Sequence, residues 1–190
     1  MPQVTLVGYR GSGKSSVAAA LAARLGCSWC DADDMLERET GRSIAEFIRE
    51  QGEPAFRDAE AELLGRLLAA EAGVVATGGG VVLREENRRL LRRLGPPVVW
   101  LSAPPEVLRR RLAADPATAS RRPALGGGDV LDEVAPALAR REPLYREVAD
   151  GVVDGAIDPP HRIAERITTW RAAWVPAGAG LGDNCPELIP

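Results

Sequence analysis

The segment GYRGSGKSS, residues 8 to 16, has the residue types and the spacing needed to bind a phosphate group. It matches GxxxxGK[ST], in which glycines let the backbone curl around phosphate oxygens, while backbone N–H groups and a helix amino terminus hold the anion. The expected nucleotide-binding residues are Gly11, Ser12, Gly13, Lys14, Ser15 and Ser16. Ser15 is also the expected ligand of Mg²⁺. The alternative is a glycine-rich turn that carries a surface lysine.

Lys14 is the only lysine in a chain that contains 24 lysines and arginines together. An ammonium group is a compact charge that fits among the β- and γ-phosphates, whereas a guanidinium is wide and planar. A lysine at this position, in a chain that otherwise uses arginine, indicates that the shape of the cation matters as well as its charge. We therefore expect Lys14 to be a catalytic residue.

Two aspartates, Asp31 and Asp33, stand where the second predicted strand ends. In an extended segment they point the same way, toward the carboxyl end of the sheet, where open α/β folds bind ligands. One carboxylate would then hold the magnesium shell through water, and the other would accept a hydrogen bond from an attacking hydroxyl. The alternative is helix capping by Asp33 or Asp34, which precede MLERE, and Asp34 is the better candidate for the cap.

Short apolar runs alternate with helical patterns along the chain, which is typical of parallel βαβ units and predicts an α/β fold. The predicted strands are residues 4–7, 28–31, 73–76, 98–101 and 151–153. The predicted helices are residues 15–25, 34–39, 43–50, 54–71, 84–94, 105–113, 130–149 and 160–174. The glycines after the third predicted strand fit a backbone that approaches a ligand closely, or else a plain tight turn.

Composition predicts one globular domain, residues 1–174, in a chain of 190 residues that is 45% hydrophobic and 27% charged. The net charge of −3, with both signs interleaved, argues against a nucleic-acid partner. The chain has neither an apolar run of about 18 residues nor a secretory signal pattern, so we expect a cytoplasmic protein with no membrane partner. The tail, residues 175–190, is rich in Pro, Gly and Ala, and we expect it to be disordered.

The cysteines are Cys27, Cys30 and Cys185. Cys27 and Cys30 form a CxxC pattern, but the sequence offers no second cysteine pair or histidine cluster to complete a metal site. We expect both to be inert packing residues, with thiol redox chemistry as the alternative.

Six segments, in chain order, resemble shikimate kinase. They are GYRGSGKSS, DADDMLERETGRSI (31–44), GEPAFRDAE (52–60), TGGGVVL (77–83), RRPAL (121–125) and RREPLYREVAD (140–150). The resemblance runs from about Val4 to about Arg171. It implies a P-loop fold like that of nucleoside monophosphate kinases, with a three-layer open parallel sheet of about five strands. It also implies a substrate-binding subdomain at 34–60 and a lid at 115–128, although the stretch from Arg111 to Arg122 is longer than usual for the family.

The resemblance implies a role for each residue on the acceptor side. Asp31 would lie near the magnesium, and Asp33 would be the catalytic residue that holds the substrate hydroxyls. Arg57 and Arg141 would bind the substrate carboxylate, although each has a structural alternative, since Arg57 can pair with Glu60 or Glu53 and Arg141 can be a solvated charge beside Glu142. The implied floor of the site consists of Gly78, Gly79 and Gly80.

On the nucleotide side, Arg122 would be the catalytic lid arginine that reaches the transferring phosphate. One of Arg109, Arg110 and Arg111 would stack on the adenine. The implied reaction is ATP plus shikimate giving ADP and shikimate 3-phosphate, in a monomer that uses Mg²⁺. The alternatives are a related kinase of the gluconate type and a nucleotide-binding module without catalysis.

Overall fold

The computed structural model describes residues 2–70, 73–114, 131–175 and 187–189. Its elements, in chain order, are β1 (Val4–Val7), α1 (Lys14–Leu25), β2 (Trp29–Asp31), α2 (Ala32–Thr40), α3 (Ile44–Ala69), β3 (Val74–Ala76), a 3₁₀ turn (Val81–Leu83), α4 (Glu85–Leu94), β4 (Val98–Ser102), α5 (Pro105–Ala114), α6 (Val134–Val148), β5 (Gly151–Asp154), α7 (Pro160–Ala173) and β6 (Glu187–Leu188). The predicted lid, Arg122 and Cys185 lie outside the described residues.

The strands form one sheet in the order β2-β3-β1-β4-β5-β6, and all neighbouring strands are parallel. Every residue of β1 and β3 is buried, as expected for strands that helices cover on both faces. Because the strands are parallel, the segments that follow β1, β2 and β3 all leave the sheet at the same edge. The predicted open parallel sheet is confirmed.

Helices cover both faces of the sheet, which confirms the three layers. Successive residues of a strand point to opposite faces, so Trp100 of β4 packs toward α4, α5 and α6, while Leu101 packs toward α1 and α7. A third apolar cluster joins α2 and α3 to β3. Among the described residues, none of the helices combines the length and the apolarity needed to cross a bilayer.

The two helices predicted at 43–50 and 54–71 form one element, α3, interrupted at Gly52, where the backbone is left-handed (φ 83°). Ser43 begins α3 with a capping box: its hydroxyl accepts a hydrogen bond from the Glu46 N–H, and the Glu46 carboxylate accepts one from the Ser43 N–H.

The end of the predicted disordered tail is ordered. Residues 187–188 pair with β5, and Ile189 is fully buried beside Trp170 and Gly151. Arg166 of α7 donates a hydrogen bond to the Ile189 carbonyl at 2.6 Å. The expectation of disorder is therefore wrong for these three residues, because a single buried isoleucine anchors a strand that is too short to show a periodicity.

Gly73 is required by close packing between strands. A methyl group at this position would overlap the Ser28 carbonyl oxygen and lie 2.8 Å from Cys27 Sγ, whereas a methyl group at Gly65 of α3 would meet no atom within 4 Å. We expect Gly73→Ala to lower the free energy of unfolding by about 1 to 3 kcal/mol. Gly65→Ala should instead raise it by up to about 1 kcal/mol, since alanine favours the helix. Urea unfolding of both variants tests this, and equal stabilities would contradict it.

Candidate active site

A cleft of about 290 Å³ lies at the carboxyl end of the sheet. Three segments that follow neighbouring strands meet in it. Its lining residues are Arg10, Gly11, Gly13, Lys14, Ser15, Ser16, Asp31, Asp33, Ile44, Thr77, Gly79, Arg111 and Leu112. The phosphate-binding loop and the acidic pair predicted from the sequence therefore face the same cleft.

The loop between β1 and α1 folds around the Lys14 side chain. Gly8, Gly11 and Gly13 have positive φ angles of 146°, 79° and 95°, which favour glycine. The Lys14 ammonium donates hydrogen bonds to the carbonyls of Gly8 (2.9 Å) and Tyr9 (3.0 Å), and the residue is only 8% exposed. The cation thus lies inside the loop, where a planar guanidinium would need more room.

Asp31 links the loop to the start of α2. Its carboxylate accepts a hydrogen bond from the Ser15 hydroxyl through one oxygen and from the backbone N–H groups of Asp33 (2.9 Å) and Asp34 (3.4 Å) through the other. Asp31 is therefore the helix cap, and the prediction that Asp34 caps α2 is wrong. The reason is that the backbone is still extended at Asp31 and becomes helical at Ala32, two residues earlier than predicted.

Asp33 reaches the cleft from the first turn of α2 rather than from an extended segment. It lies against the floor loop: a methyl group added to Gly78 would be 2.6 Å from Asp33 Oδ1 and 2.8 Å from Glu60 Oε1. A methyl group on Gly80 would be 2.5 Å from Arg57 Nη1. Since neither glycine has a positive φ, close approach of side chains, and not turn geometry, is what requires glycine here.

Arg57 is buried beside the floor and held by two carboxylates of its own helix. Its Nη1 donates to Glu60 at 2.8 Å, and its Nε and Nη2 donate to Glu53 at 3.3 and 3.2 Å. Burial acts to lower the pKa of Arg57, but the carboxylates of Glu60 and Glu53 outweigh it and raise the pKa above its ordinary value. The pairing with Glu60 and Glu53 that we considered as an alternative is present, but it orients a buried cation and is not a surface contact.

Arg141 of α6 contacts the same floor at Gly79, the residue before Gly80. Its Nη1 donates to the Gly79 carbonyl at 3.2 Å, and its guanidinium carbon lies 5.1 Å from the centre of the Tyr9 ring. Arg141 and Arg57 thus approach consecutive glycines. Neither belongs to the lining of the cleft formed by the described residues, so both contact the floor loop next to it.

The arginine run of α5 brings Arg111 to the cleft. Its Nη1 lies 3.3 Å from the Gly11 carbonyl and 3.4 Å from that of Ser12, and its Nη2 donates to Gly155 at 2.7 Å. Arg109 instead pairs with Asp132 at 3.2 Å, and Arg110 is exposed. The adenine contact stays a prediction, and these positions favour Arg111 over Arg109 and Arg110. The sequence could have separated only Arg110 from the other two, since Leu108 and Leu112 mark the buried face of α5 and Arg109 and Arg111 flank it equally.

Sequence reasoning missed several residues that build this site. Thr77, which follows β3, lines the cleft and donates its hydroxyl to the Leu6 carbonyl at 2.9 Å. Ile44, on α3, also lines the cleft. Tyr145 is fully buried and donates to the Gly79 carbonyl at 2.6 Å. Thr77 is adjacent to the glycine run and could have been recognised from it, whereas the positions of Ile44 and Tyr145 depend on packing between distant segments.

The thiols of Cys27 and Cys30 are free and partly buried. Burial raises the pKa of both, against a smaller effect of Arg171 on Cys27 and together with the Asp31 carboxylate for Cys30. Less thiolate therefore forms at neutral pH than for an ordinary cysteine, which supports the packing interpretation. The part of the chain that the structure describes contains no group of three or more His, Cys, Asp or Glu residues able to hold a metal ion.

The phosphate-binding loop, the three layers and a glycine floor in the same cleft are typical of a small-molecule P-loop kinase. A family model for shikimate kinase matches residues 10–171. The shikimate kinase of Nitratidesulfovibrio vulgaris is 50% identical over 166 residues, which are 87% of this chain and 93% of the relative. That of Oleidesulfovibrio alaskensis is 44% identical, over 91% of this chain and 99% of the relative. The chain belongs to the shikimate kinase family.

Solved structures agree with this assignment. A shikimate kinase from Acinetobacter baumannii in complex with shikimate has a TM-score of 0.81 and 33% identity, covering 90% of this chain and 92% of that chain. A gluconokinase from Sinorhizobium meliloti has a TM-score of 0.52 at 19% identity, covering 90% and 91%, and shares the fold alone.

Glu60 and Glu53 offer a matched test of how Arg57 is held, because the Glu60 side chain is 6% exposed and that of Glu53 is 40% exposed. Removing one partner of a buried ion pair leaves the other charge poorly compensated. We expect Glu60→Gln to lower the free energy of unfolding by about 1 to 3 kcal/mol, and Glu53→Gln by less than about 1 kcal/mol. Urea unfolding measures both values. A larger loss for Glu53→Gln would show that the exposed carboxylate is the one that holds Arg57.

Proposed function

We propose that the protein transfers the γ-phosphoryl group of ATP to the 3-hydroxyl of shikimate, giving ADP and shikimate 3-phosphate. The observation that carries this proposal is that the phosphate-binding loop and Asp33 line one cleft. Membership in the shikimate kinase family supports the choice of substrate. Shikimate is a polyhydroxylated ring with one carboxylate, so it needs a hydrogen-bond acceptor for its hydroxyls and a cation for its acid.

On the nucleotide side, phosphoryl transfer depends on positioning and on neutralising charge more than on covalent chemistry. The loop N–H groups and the Lys14 ammonium supply fixed positive charge for the β- and γ-phosphates. Arg111 would contact the base, and Arg122, which lies outside the described residues, remains the predicted lid arginine for the transferring phosphate.

Ser15 and Asp31 fit a magnesium ion, because a hydroxyl and a carboxylate that meet beside the phosphate loop are hard oxygen ligands of the kind that Mg²⁺ prefers. When bound with ATP, Mg²⁺ would supply charge neutralisation at the phosphate oxygens. Ser15 and Asp31 would hold it, directly or through water.

On the acceptor side, Asp33 would accept the hydrogen bond of the attacking hydroxyl and hold it in line with the phosphate. Arg141 and Arg57 would bind the carboxylate, since a guanidinium fork matches a carboxylate in shape and charge. The floor has no side chains at Gly78, Gly79 and Gly80, which would leave room for the ring between these groups. We further propose that the enzyme acts as a cytoplasmic monomer, without a nucleic-acid partner.

Arg141 and its neighbour Arg140 provide a controlled test of the acceptor site, since Arg140 is exposed on the same helix. We expect ADP formation that requires both shikimate and Mg²⁺. Asp33→Asn should reduce turnover by at least about a hundredfold, and Arg141→Ala should reduce kcat/KM for shikimate by at least about a hundredfold. ATP should still bind to both variants, and Arg140→Ala should remain active. A coupled ADP assay with a panel of hydroxy acids measures this. Turnover stimulated by gluconate or a nucleoside monophosphate, and not by shikimate, would refute the proposal.

Lys14→Arg tests whether the shape of the cation matters. It keeps the charge, but the guanidinium does not fit the concavity in which the ammonium contacts the Gly8 and Tyr9 carbonyls. We expect turnover to fall by at least about a hundredfold, comparably to Lys14→Met, which removes the charge. Full activity of Lys14→Arg would show that charge alone is sufficient.

A further inference from the structure

The carbonyl of Gly79, in the floor of the cleft, accepts two side-chain hydrogen bonds from α6. The Tyr145 hydroxyl donates at 2.6 Å, and Arg141 Nη1 donates at 3.2 Å. The two residues are four positions apart and so lie on one face of the helix. A carbonyl oxygen has two lone pairs, so these donors fill its capacity. Tyr145 makes the shorter of the two contacts.

Packing fixes the position of the Tyr145 hydroxyl. The residue is 0% exposed, and its ring stacks on Trp100 of β4 with centroids 5.8 Å apart and planes inclined by 20°. Arg146 covers Trp100 in turn, at 5.0 Å from the ring centre. The phenol is therefore held in a fixed position between the sheet and the floor loop.

Two other carbonyls of the same segment accept hydrogen bonds from side chains of α4. Asn87 of α4 donates to Val81 at 3.0 Å, and Arg88 donates to Val82 at 2.9 Å. Their carbonyls belong to the 3₁₀ turn, whereas Gly79 lines the cleft itself. Among these contacts, the one made by Tyr145 therefore acts closest to the acceptor.

We propose that Tyr145 is a positioning residue for the acceptor, a role that rests on the proposed function. Its hydroxyl fixes the planar peptide between Gly79 and Gly80, which sets where the floor and the Gly80 N–H lie. It also occupies one of the two lone pairs of the Gly79 carbonyl, so that the carbonyl draws less on Arg141 and the Arg141 guanidinium is available to an acidic ligand. Without the hydroxyl, Arg141 would turn further onto the carbonyl and away from the ligand.

The test is Tyr145→Phe, which deletes one oxygen and keeps the ring. We expect KM for shikimate to rise about tenfold, which corresponds to about 1.4 kcal/mol and is the size expected when Arg141 loses one hydrogen bond to the acceptor. KM for ATP and kcat should stay within about twofold, because the interaction acts on ground-state binding of the acceptor. The matched control is Thr168→Val, which deletes a hydroxyl that donates to the Ala164 carbonyl at 2.7 Å on α7, away from the cleft. It should leave both KM values unchanged.

A second comparison isolates the shared carbonyl. In an Arg141→Lys background, Tyr145→Phe should raise the dissociation constant for shikimate, measured by calorimetry, by less than in the wild type, since the two effects act through one oxygen. Unchanged shikimate affinity in Tyr145→Phe, equal changes in both KM values, or an unfolded Phe variant would each overturn the proposal. If the wild type neither binds nor phosphorylates shikimate, the proposed function itself fails. That failure is seen in the wild type alone, so it is distinguishable from every outcome of the Tyr145→Phe comparison.

Discussion

The site depends on cations that hold the carbonyl groups of the phosphate-binding loop. Lys14 bonds the carbonyls of Gly8 and Tyr9, and Arg111 bonds those of Gly11 and Ser12. Because a peptide unit is planar and trans, its carbonyl and the N–H of the following residue point in opposite directions. Fixing the carbonyls therefore fixes the direction of the donors that bind an anion, before any anion arrives. Such preorganisation lets the dipoles stabilise phosphate charge without reorienting during the reaction.

The parallel sheet is what brings this loop to the acceptor floor. β1 and β3 are neighbours with Leu6 opposite Ala76, so the phosphate loop and the glycine floor begin at the same level of the sheet. Thr77 fastens the two together, since its backbone N–H and its hydroxyl both donate to the Leu6 carbonyl, at 3.1 and 2.9 Å. A change in register between these strands would separate donor and acceptor by at least about 3 Å, enough to abolish in-line transfer.

Features encoded by adjacent residues could be predicted from the sequence, and features encoded by distant contacts could not. The buried strands and the phosphate-binding loop are local patterns, so the fold and half of the site followed from them. The capping role of Asp31 depended on where β2 ends, a boundary that periodicity locates only within a few residues. Tyr145 and Ile189 gain their roles from partners 66 and 37 residues away, Gly79 and Val152, and no local pattern records such a pairing.

The buried charges of the acceptor side meet at the glycine floor. Glu60 and Asp33 both approach Gly78, and Arg57 approaches Gly80. Arg57 bonds Glu60 at 2.8 Å, so each of these two charges compensates the other. An ion pair is costly to bury, and a well-packed apolar pair of similar volume is often at least as stable. The Arg57–Glu60 pair is therefore better explained by what it holds in place than by the stability of the fold. It holds a guanidinium beside the floor, where the proposed acceptor would place its acid group.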